Sequence, residues 1–380
     1  MKILLASSSS GSRGGGELYL LYLARALAAR GHEVTLWASS HPRMDELCAH
    51  FAPIGPVLRS DYTNTYDHRT RCIASFLNRS GARRIAGEWT AQRPDFIHIN
   101  KQNLEDGLDL LHAATLTGVP GLATIHLTQN ARQLRAVFAP VRDWVARRAL
   151  TTCRFPLVCV LEQRARDLRD FLGEQPRIHA IPNGVELYDL SLRAAARESK
   201  RAELDLDHST LLIAAVGRLV PQKRPLVFLD LAEKIHARLP GAQFLWVGDG
   251  GLSSEWDARV ARRKLGGFVR RLGWQSNVRD FLFAADVFLH TAEFEGLPLA
   301  ILEALSAGLP CAITPNLLAE MPFLDSSNSI AIGDDEAWAS ILADSGRLSE
   351  LGVNAHQLAV SQFSFDMMAA RYEALYRQTM

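Results

Sequence analysis

"TLLIAAVGRLVPQKRP", Thr210 to Pro225, decides the fold. Its first half is a short β-branched apolar run of the kind that a parallel sheet buries. Gly217 ends the run, and a basic loop then leads to a proline that can open a helix. The same order of elements fills the chain before it. Strand-like runs "KILLAS", "EVTLWAS", "DFIHIN", "GLATIHL" and "PLVCVL" alternate with helical patterns at "GELYLLYLARALAARG", "LEDGLDLLHAATLTG" and an arginine-rich segment. Such alternation indicates β-α-β units and a parallel sheet. After Thr210 it starts again, with "QFLWVGDG", "GFVRRLG", "DVFLHT" and "PCAIT" as further strands, so a second parallel sheet is expected. A chain of 380 residues also exceeds what one hydrophobic core usually supports. The link is "RIHAIPNGVELYDL", which joins a strand, a proline and an Asn-Gly turn and puts the boundary near Asn183 to Leu190.

Composition excludes several classes. With 48% hydrophobic and 22% charged residues the chain is globular. No apolar run approaches the ~20 residues of a spanning helix, and "ILLA" is too short for a signal-peptide core, so a cytoplasmic location is expected. Cys48, Cys72, Cys153, Cys159 and Cys311 are scattered, without a C-x-x-C pair, which argues against a disulfide framework or structural zinc and for buried thiols. Residues 1–180 carry 23 Lys+Arg against 16 Asp+Glu, whereas the remaining 200 carry 19 against 25. Part of the basic excess lies in "ARQLRAVFAPVRDWVARRALTTCR", read as one helix in which Arg132, Arg135, Arg142, Arg147 and Arg148 accompany Leu134, Val137, Phe138, Val141, Trp144 and Val145. A basic amphipathic helix can lie on an anionic membrane surface or pack its apolar side on its own domain.

Open parallel sheets bind ligands beyond the carboxyl ends of their strands. "GSRGGGEL", Gly11 to Leu18, stands there in the first domain. It is not a nucleotide-triphosphate loop, because Glu17 and Leu18 replace the Lys and hydroxyl, and its glycine order is wrong for a dinucleotide turn. It remains a surface turn or half of a split sugar-nucleotide site. In "FEGLPLAILEALSAGLP", Phe294 to Pro310, Glu295 and Glu303 flank a helix start at which Pro298 fits the first position. The N–H groups of Gly296 and Leu297 would face an anion there. Glu303 can accept from a pair of ribose hydroxyls, and Glu295 lies beside the sugar. Arg218 and Lys223, in the loop after Gly217, can converge on a phosphate. The one Asp-x-Asp, Asp205-Leu-Asp207, precedes the strand and reads as a solvated turn, so no metal is expected.

"GGGE", "PNGVE", "GRLVPQK" and "FEGLPLAILEALSAGLP" together resemble the family 4 retaining glycosyltransferases, in order and over nearly the whole chain. The resemblance implies an α/β fold of the GT-B type: two facing Rossmann-like domains with parallel sheets and an interdomain cleft. Residues 1–186 would bind the acceptor and 187–361 the nucleotide sugar, with 362–380 crossing back onto the first domain. It implies transfer of a sugar from a UDP- or GDP-sugar to a glycan or lipid-linked acceptor, with retention and without a metal or other cofactor. The setting would be cell-surface polysaccharide or glycolipid synthesis, with peripheral attachment to the cytoplasmic membrane face and no nucleic acid as partner. Residue by residue, Gly15 and Gly16 match glycines that approach the diphosphate, Arg218 and Lys223 the phosphate-binding pair, Glu295 the glutamate by the sugar and Glu303 the one on the ribose. His126, in "ATIHLTQ", matches a histidine by the reacting sugar. Gly248 and Asp249 match a loop beside the nucleoside, and Gly273 with Trp274 would lie near the base. Two departures stand out: Arg224 where a glycine is usual, and "CAITPNLLAEMPFLDSSNSIAIGDD" where the family has further glycines, with Glu320 in place of its glutamate. The alternatives are a non-catalytic sugar-nucleotide-binding subunit and a GT-B epimerase.

Overall fold

The computed structural model describes residues 1–9, 11, 13–174, 177–333 and 337–380. Ser12 of the glycine-rich loop and the Asp334–Asp335 pair that ends the departing segment lie outside the described residues. The chain divides into two compact units, residues 1–184 with 365–380, and residues 185–364. The division falls two residues before the expected break at 186/187.

The first unit is a seven-stranded, wholly parallel sheet. Its strands are β1 (Lys2–Ser7), β2 (Glu33–Ser39), β3 (Val57–Ser60), β4 (Phe96–Asn103), β5 (Gly121–Leu127), β6 (Leu157–Cys159) and β7 (Ile178–Ala180), in the order β3-β2-β1-β4-β5-β6-β7. The order reverses between β1 and β4. Alternation along β1 feeds both faces: Leu4 and Ala6 join a core with Trp37 and Trp89, while Ile3 and Leu5 join one with Tyr19 and Tyr372. Burial on both faces is why these strands read as continuous apolar runs. The five cysteines are all buried free thiols.

The second unit repeats the design with six parallel strands, β8 (Leu212–Val216), β9 (Gln243–Val247), β10 (Val269–Arg271), β11 (Val287–His290), β12 (Cys311–Ile313) and β13 (Ser329–Ala331), in the order β10-β9-β8-β11-β12-β13. Its reversal lies between β8 and β11. Asp205 and Asp207 stand exposed in the turn before β8.

Two readings need correction. The arginine-rich helix spans only Ala139–Thr152; residues 131–138 form turns in which Arg135 and Phe138 take left-handed φ of 50° and 57°. Pro140 explains the late start, since a proline is tolerated in the first turn of a helix but not in its interior. Pro298 is the cap before the Leu299–Ser306 helix rather than its first residue.

The terminal helix, Phe365–Thr379, packs in the first unit against the Gly15–Ala29 helix. A buried polar cluster fixes it. His98 Nδ1 meets the Tyr376 hydroxyl at 2.7 Å and Nε2 the Thr124 hydroxyl at 2.8 Å, while Tyr372 reaches Thr124 at 3.0 Å. Outside this cluster, Arg30 donates to Asp366 and Glu373 at 2.6 and 2.8 Å. Burial lowers His98 from the ordinary 6.5 to about 3. The folded imidazole thus stays neutral where the unfolded one binds a proton, and stability falls as pH drops below 6.5. Between pH ~6.5 and ~5 this amounts to about 2 kcal/mol for one such histidine. Thermal melts of the wild type should show at least that loss, and His98→Gln, which cannot titrate, should make the slope shallower by the His98 share, with buried His126 adding its own; an unchanged slope would remove His98 as a source.

Candidate active site

In the first unit, the glycine-rich loop follows β1, at the reversal of strand order. The chain enters the Gly15–Ala29 helix with Gly14 as its cap. Gly15 is exposed, and a Cβ there would meet nothing within 4 Å. Gly16 is buried, and a Cβ there would stand 2.2 Å from Gln102 Oε1, so a larger residue would displace the Gln102 side chain. Gln102 donates to Ser9 Oγ at 2.8 Å, and Ser9 donates to the buried Glu17 carboxylate. Glu17, which removed the triphosphate reading, therefore braces the loop from within.

His126 lies at the end of β5, buried, with its ring edge-on to Tyr19 at 4.8 Å between centroids. Its Nε2 is 2.7 Å from Asn100 Oδ1, and Asn100 Nδ2 donates to the Gly16 carbonyl at 3.0 Å. The Gly16 carbonyl fixes the amide orientation, so Asn100 Oδ1 accepts and Nε2 carries the proton. Burial lowers the imidazole to about 4 and keeps it neutral. The structure thus joins His126 and Gly16 through Asn100, a residue that sequence reading passed over. It also passed over Lys101 and Asp106. Both are fully buried; Ser8 Oγ and the Gln102 N–H donate to Asp106, and burial lowers the Lys101 ammonium to about 8 against the attraction of Asp106. The polar run "KQN" reads as loop, yet β4 continues through it to Asn103.

In the second unit, the ends of the adjacent strands β8 and β11 carry the chemistry. Lys223 lies in the short turn Pro221–Lys223 and its ammonium forms an ion pair with Glu295 Oε1. His290 Nε2 reaches the same oxygen at 3.1 Å. Glu295 is 5% exposed. Burial pushes its carboxyl up, but Lys223 beside it and the His290 hydrogen bond outweigh that and hold it at about 2. The two loops are also tied by backbone: Glu293 N–H donates to the Gln222 carbonyl at 2.9 Å, and Thr291 Oγ1 to the Lys223 carbonyl at 2.9 Å. Arg224 has φ 49° and ψ 52°, the left-handed conformation that favours glycine. Its backbone thus keeps the glycine-like shape although the side chain does not.

Arg218 is exposed in the loop after β8. Gly296 and Leu297 are buried ahead of the Leu299–Ser306 helix, and Glu303 is buried within it. Tyr188 lies close enough to Glu303 for that carboxylate to add to the upward push of burial on its phenol. Asp249 is exposed, accepts from Ser253 Oγ and from the Gly250 N–H at 2.9 Å, and is held below the usual carboxylate range by those bonds. Gly248 N–H donates to the Gly273 carbonyl at 2.7 Å, which places the Gly248–Asp249 and Gly273–Trp274 pairs side by side; Trp274 is half exposed. Glu320 ends the Pro315–Glu320 helix after β12.

Two family models cover this arrangement, Glycosyltransferase Family 4 over residues 13–188 and Glycosyl transferases group 1 over residues 210–344. The chain belongs to the family 4 glycosyltransferases. It is 33% identical over 212 residues to the UDP-Gal:alpha-D-GlcNAc-diphosphoundecaprenol alpha-1,3-galactosyltransferase of Escherichia coli, covering 53% of each chain. It is 32% identical over 178 residues to the lipopolysaccharide core biosynthesis glycosyltransferase LpsE of Rhizobium meliloti, 45% of this chain and 51% of that one. The chain spans about half the length of these curated relatives. In fold it matches Anabaena Alr3699/HepE, solved in complex with UDP-glucose, with a TM-score of 0.78 over the full length of both chains at 18% identity. Two Rossmann-like units of this kind are the GT-B class.

Within this glycosyltransferase the glycines differ in what they do. A Cβ on Gly248 would stand 2.1 Å from the Gly217 carbonyl oxygen, and its φ is 136°. Gly248→Ala should therefore destabilise the second unit by roughly 2–4 kcal/mol, through backbone displacement and strain. Gly15→Ala, which meets open space, should change stability by less than about 0.5 kcal/mol. Denaturant unfolding of the two variants separates them; equal losses would contradict the distinction.

Proposed function

We propose that this chain transfers a sugar, with retention at the anomeric carbon, from a UDP- or GDP-sugar to a glycan or lipid-linked acceptor in cell-surface polysaccharide or glycolipid synthesis. The observation that carries this reading is the ion pair between half-buried Lys223 and buried Glu295 at the reversal of strand order in the second unit. Open parallel sheets bind ligands at the carboxyl ends of their strands, and a charged pair held there supports a site for a charged ligand. An ammonium has three donors, and one goes to Glu295, which leaves two for a diphosphate. Arg218 adds a planar fork of N–H groups. The amides of Gly296 and Leu297 at the helix start favour the same anion. These groups meet negative charge as the nucleoside diphosphate departs from an oxocarbenium-like centre, without a metal. Among the described residues, no group of three or more His, Cys, Asp or Glu is placed to hold a metal ion.

Both contacts to Glu295 fall on Oε1, so Oε2 is the oxygen that accepts a sugar hydroxyl. Lys223 and His290 keep the Glu295 carboxyl ionised, which suits it to accept a hydrogen bond from a sugar hydroxyl and position the sugar. Glu303 takes the ribose hydroxyls, Gly248 and Asp249 line the nucleoside, and Gly273 with Trp274 flank the base. In the first unit, neutral His126 presents Nδ1 as an acceptor beside the Gly15–Gly16 turn, on the acceptor side. The relatives named for an undecaprenol-linked sugar and a lipopolysaccharide core support a lipid-borne acceptor, and HepE with UDP-glucose supports a UDP-sugar.

Incubation with UDP- and GDP-sugars, following nucleoside diphosphate release, tests the reading. Arg218→Ala should lower turnover by about 10²–10³, equivalent to ~3–4 kcal/mol, with an unchanged melting temperature. Full turnover in that variant would sink the assignment. Prior treatment with EDTA should leave the wild-type rate intact; a rate restored only by added divalent metal would overturn the metal-free mechanism.

A further inference from the structure

The segment before and within the Ala139–Thr152 helix turns its large apolar side chains outward. Phe138 is 76% exposed, Val137 74%, Trp144 63% and Val141 50%. Val141, Trp144 and Arg148 follow helical spacing and share one face, with Val137 and Phe138 at its leading end. The adjoining Cys72–Leu77 helix, which packs against this one, adds exposed Leu77. Exposed apolar residues scattered singly need no explanation, but a contiguous set of this size marks an interaction surface.

The exposed charges within residues 131–152 are of one sign. Between residues 131 and 152 the only acid is Asp143, and it is buried, accepting the Ala131 N–H at 2.7 Å. Arg142 turns inward and pairs with Glu105. Arg135, Arg147 and Arg148 remain exposed around the apolar tip. The backbone also holds this arrangement against local preference, because Arg135 and Phe138 are non-glycine residues with left-handed φ, which costs roughly 1–2 kcal/mol each.

We propose that Val137, Phe138, Val141 and Trp144 form a wedge that enters the interface of an anionic lipid bilayer, with Arg135, Arg147 and Arg148 on the headgroups. A protein partner would match a mixed polar rim; a segment whose exposed charges are all arginines, around aromatic and β-branched tips, fits a uniform anionic surface with an apolar layer beneath. No helix among the described residues is long and apolar enough to cross a membrane, so this contact is one of lying on the bilayer. The proposal deepens the reading of a lipid-borne acceptor but needs none of the transfer chemistry.

The test is co-sedimentation of the full chain with vesicles of phosphatidylglycerol and phosphatidylcholine, and of phosphatidylcholine alone, without donor or acceptor. Binding is expected on the anionic vesicles and to weaken as salt rises. The double variant Phe138→Glu/Trp144→Glu should bind roughly tenfold or more weakly, and Arg135→Glu/Arg148→Glu should lose the preference for anionic lipid. Both should keep the wild-type melting temperature and donor turnover on a soluble acceptor, so failed binding and failed transfer are read separately. Three results would each overturn the proposal: no wild-type binding at low salt, equal binding by the Phe138/Trp144 variant, or loss in that variant of a wild-type dimer instead of vesicle binding.

Discussion

A carboxylate removed from water must be neutralised where it stands, and in the second unit that requirement falls on Glu295. Its partners are Lys223, in the loop after β8, and His290, the last residue of β11, and these strands are neighbours across the reversal of strand order. Removing one partner would leave a buried charge unpaired, which costs far more than the pair contributes. The pair therefore fixes the relative position of the two loops, and the backbone bonds from Glu293 and Thr291 follow its lead. The path into the Leu299–Ser306 helix is set by the same contact.

The first unit adds a neutral device to the buried Glu17 carboxylate that braces its loop. His126, Asn100 and the Gly16 carbonyl form a neutral hydrogen-bonded chain from β5 through β4 to the start of the Gly15–Ala29 helix. Neutral groups tolerate burial once each donor meets an acceptor. The second unit thus ties its strand ends through an ion pair, and the first joins β5 to its loop through a fixed tautomer, although both sheets obey the same strand logic.

Much of this was legible in the sequence, for identifiable reasons. Strands buried on both faces leave uninterrupted apolar runs, so β1, β2, β4, β5 and β8 were visible. β3 was not, because Val57–Ser60 is a short edge strand whose first three residues are only half buried. The Arg79–Ala91 helix was passed over as well, since its core residues Ala82, Ile85, Ala86 and Trp89 are interrupted by Arg83, Arg84, Gly87 and Glu88. Lys223 and Glu295 were legible as separate motifs, but their pairing was not, because 72 residues separate them and no local pattern encodes the contact. Asn100, Lys101 and Asp106 were hidden for another reason: polar residues at a strand end look like loop until the groups that satisfy them are in place.

The terminal helix carries one further consequence, for the order in which the molecule can be completed. The second unit is continuous in sequence, whereas the first is not, since it needs residues 365–380. During synthesis His98 emerges with its sheet long before Tyr372 and Tyr376 exist. Until they arrive, a buried-to-be imidazole and the apolar face around Ile3, Leu5 and Tyr19 remain uncovered. The first domain to be translated is therefore the last to be finished, and its nascent form presents that open face while the second unit is being made.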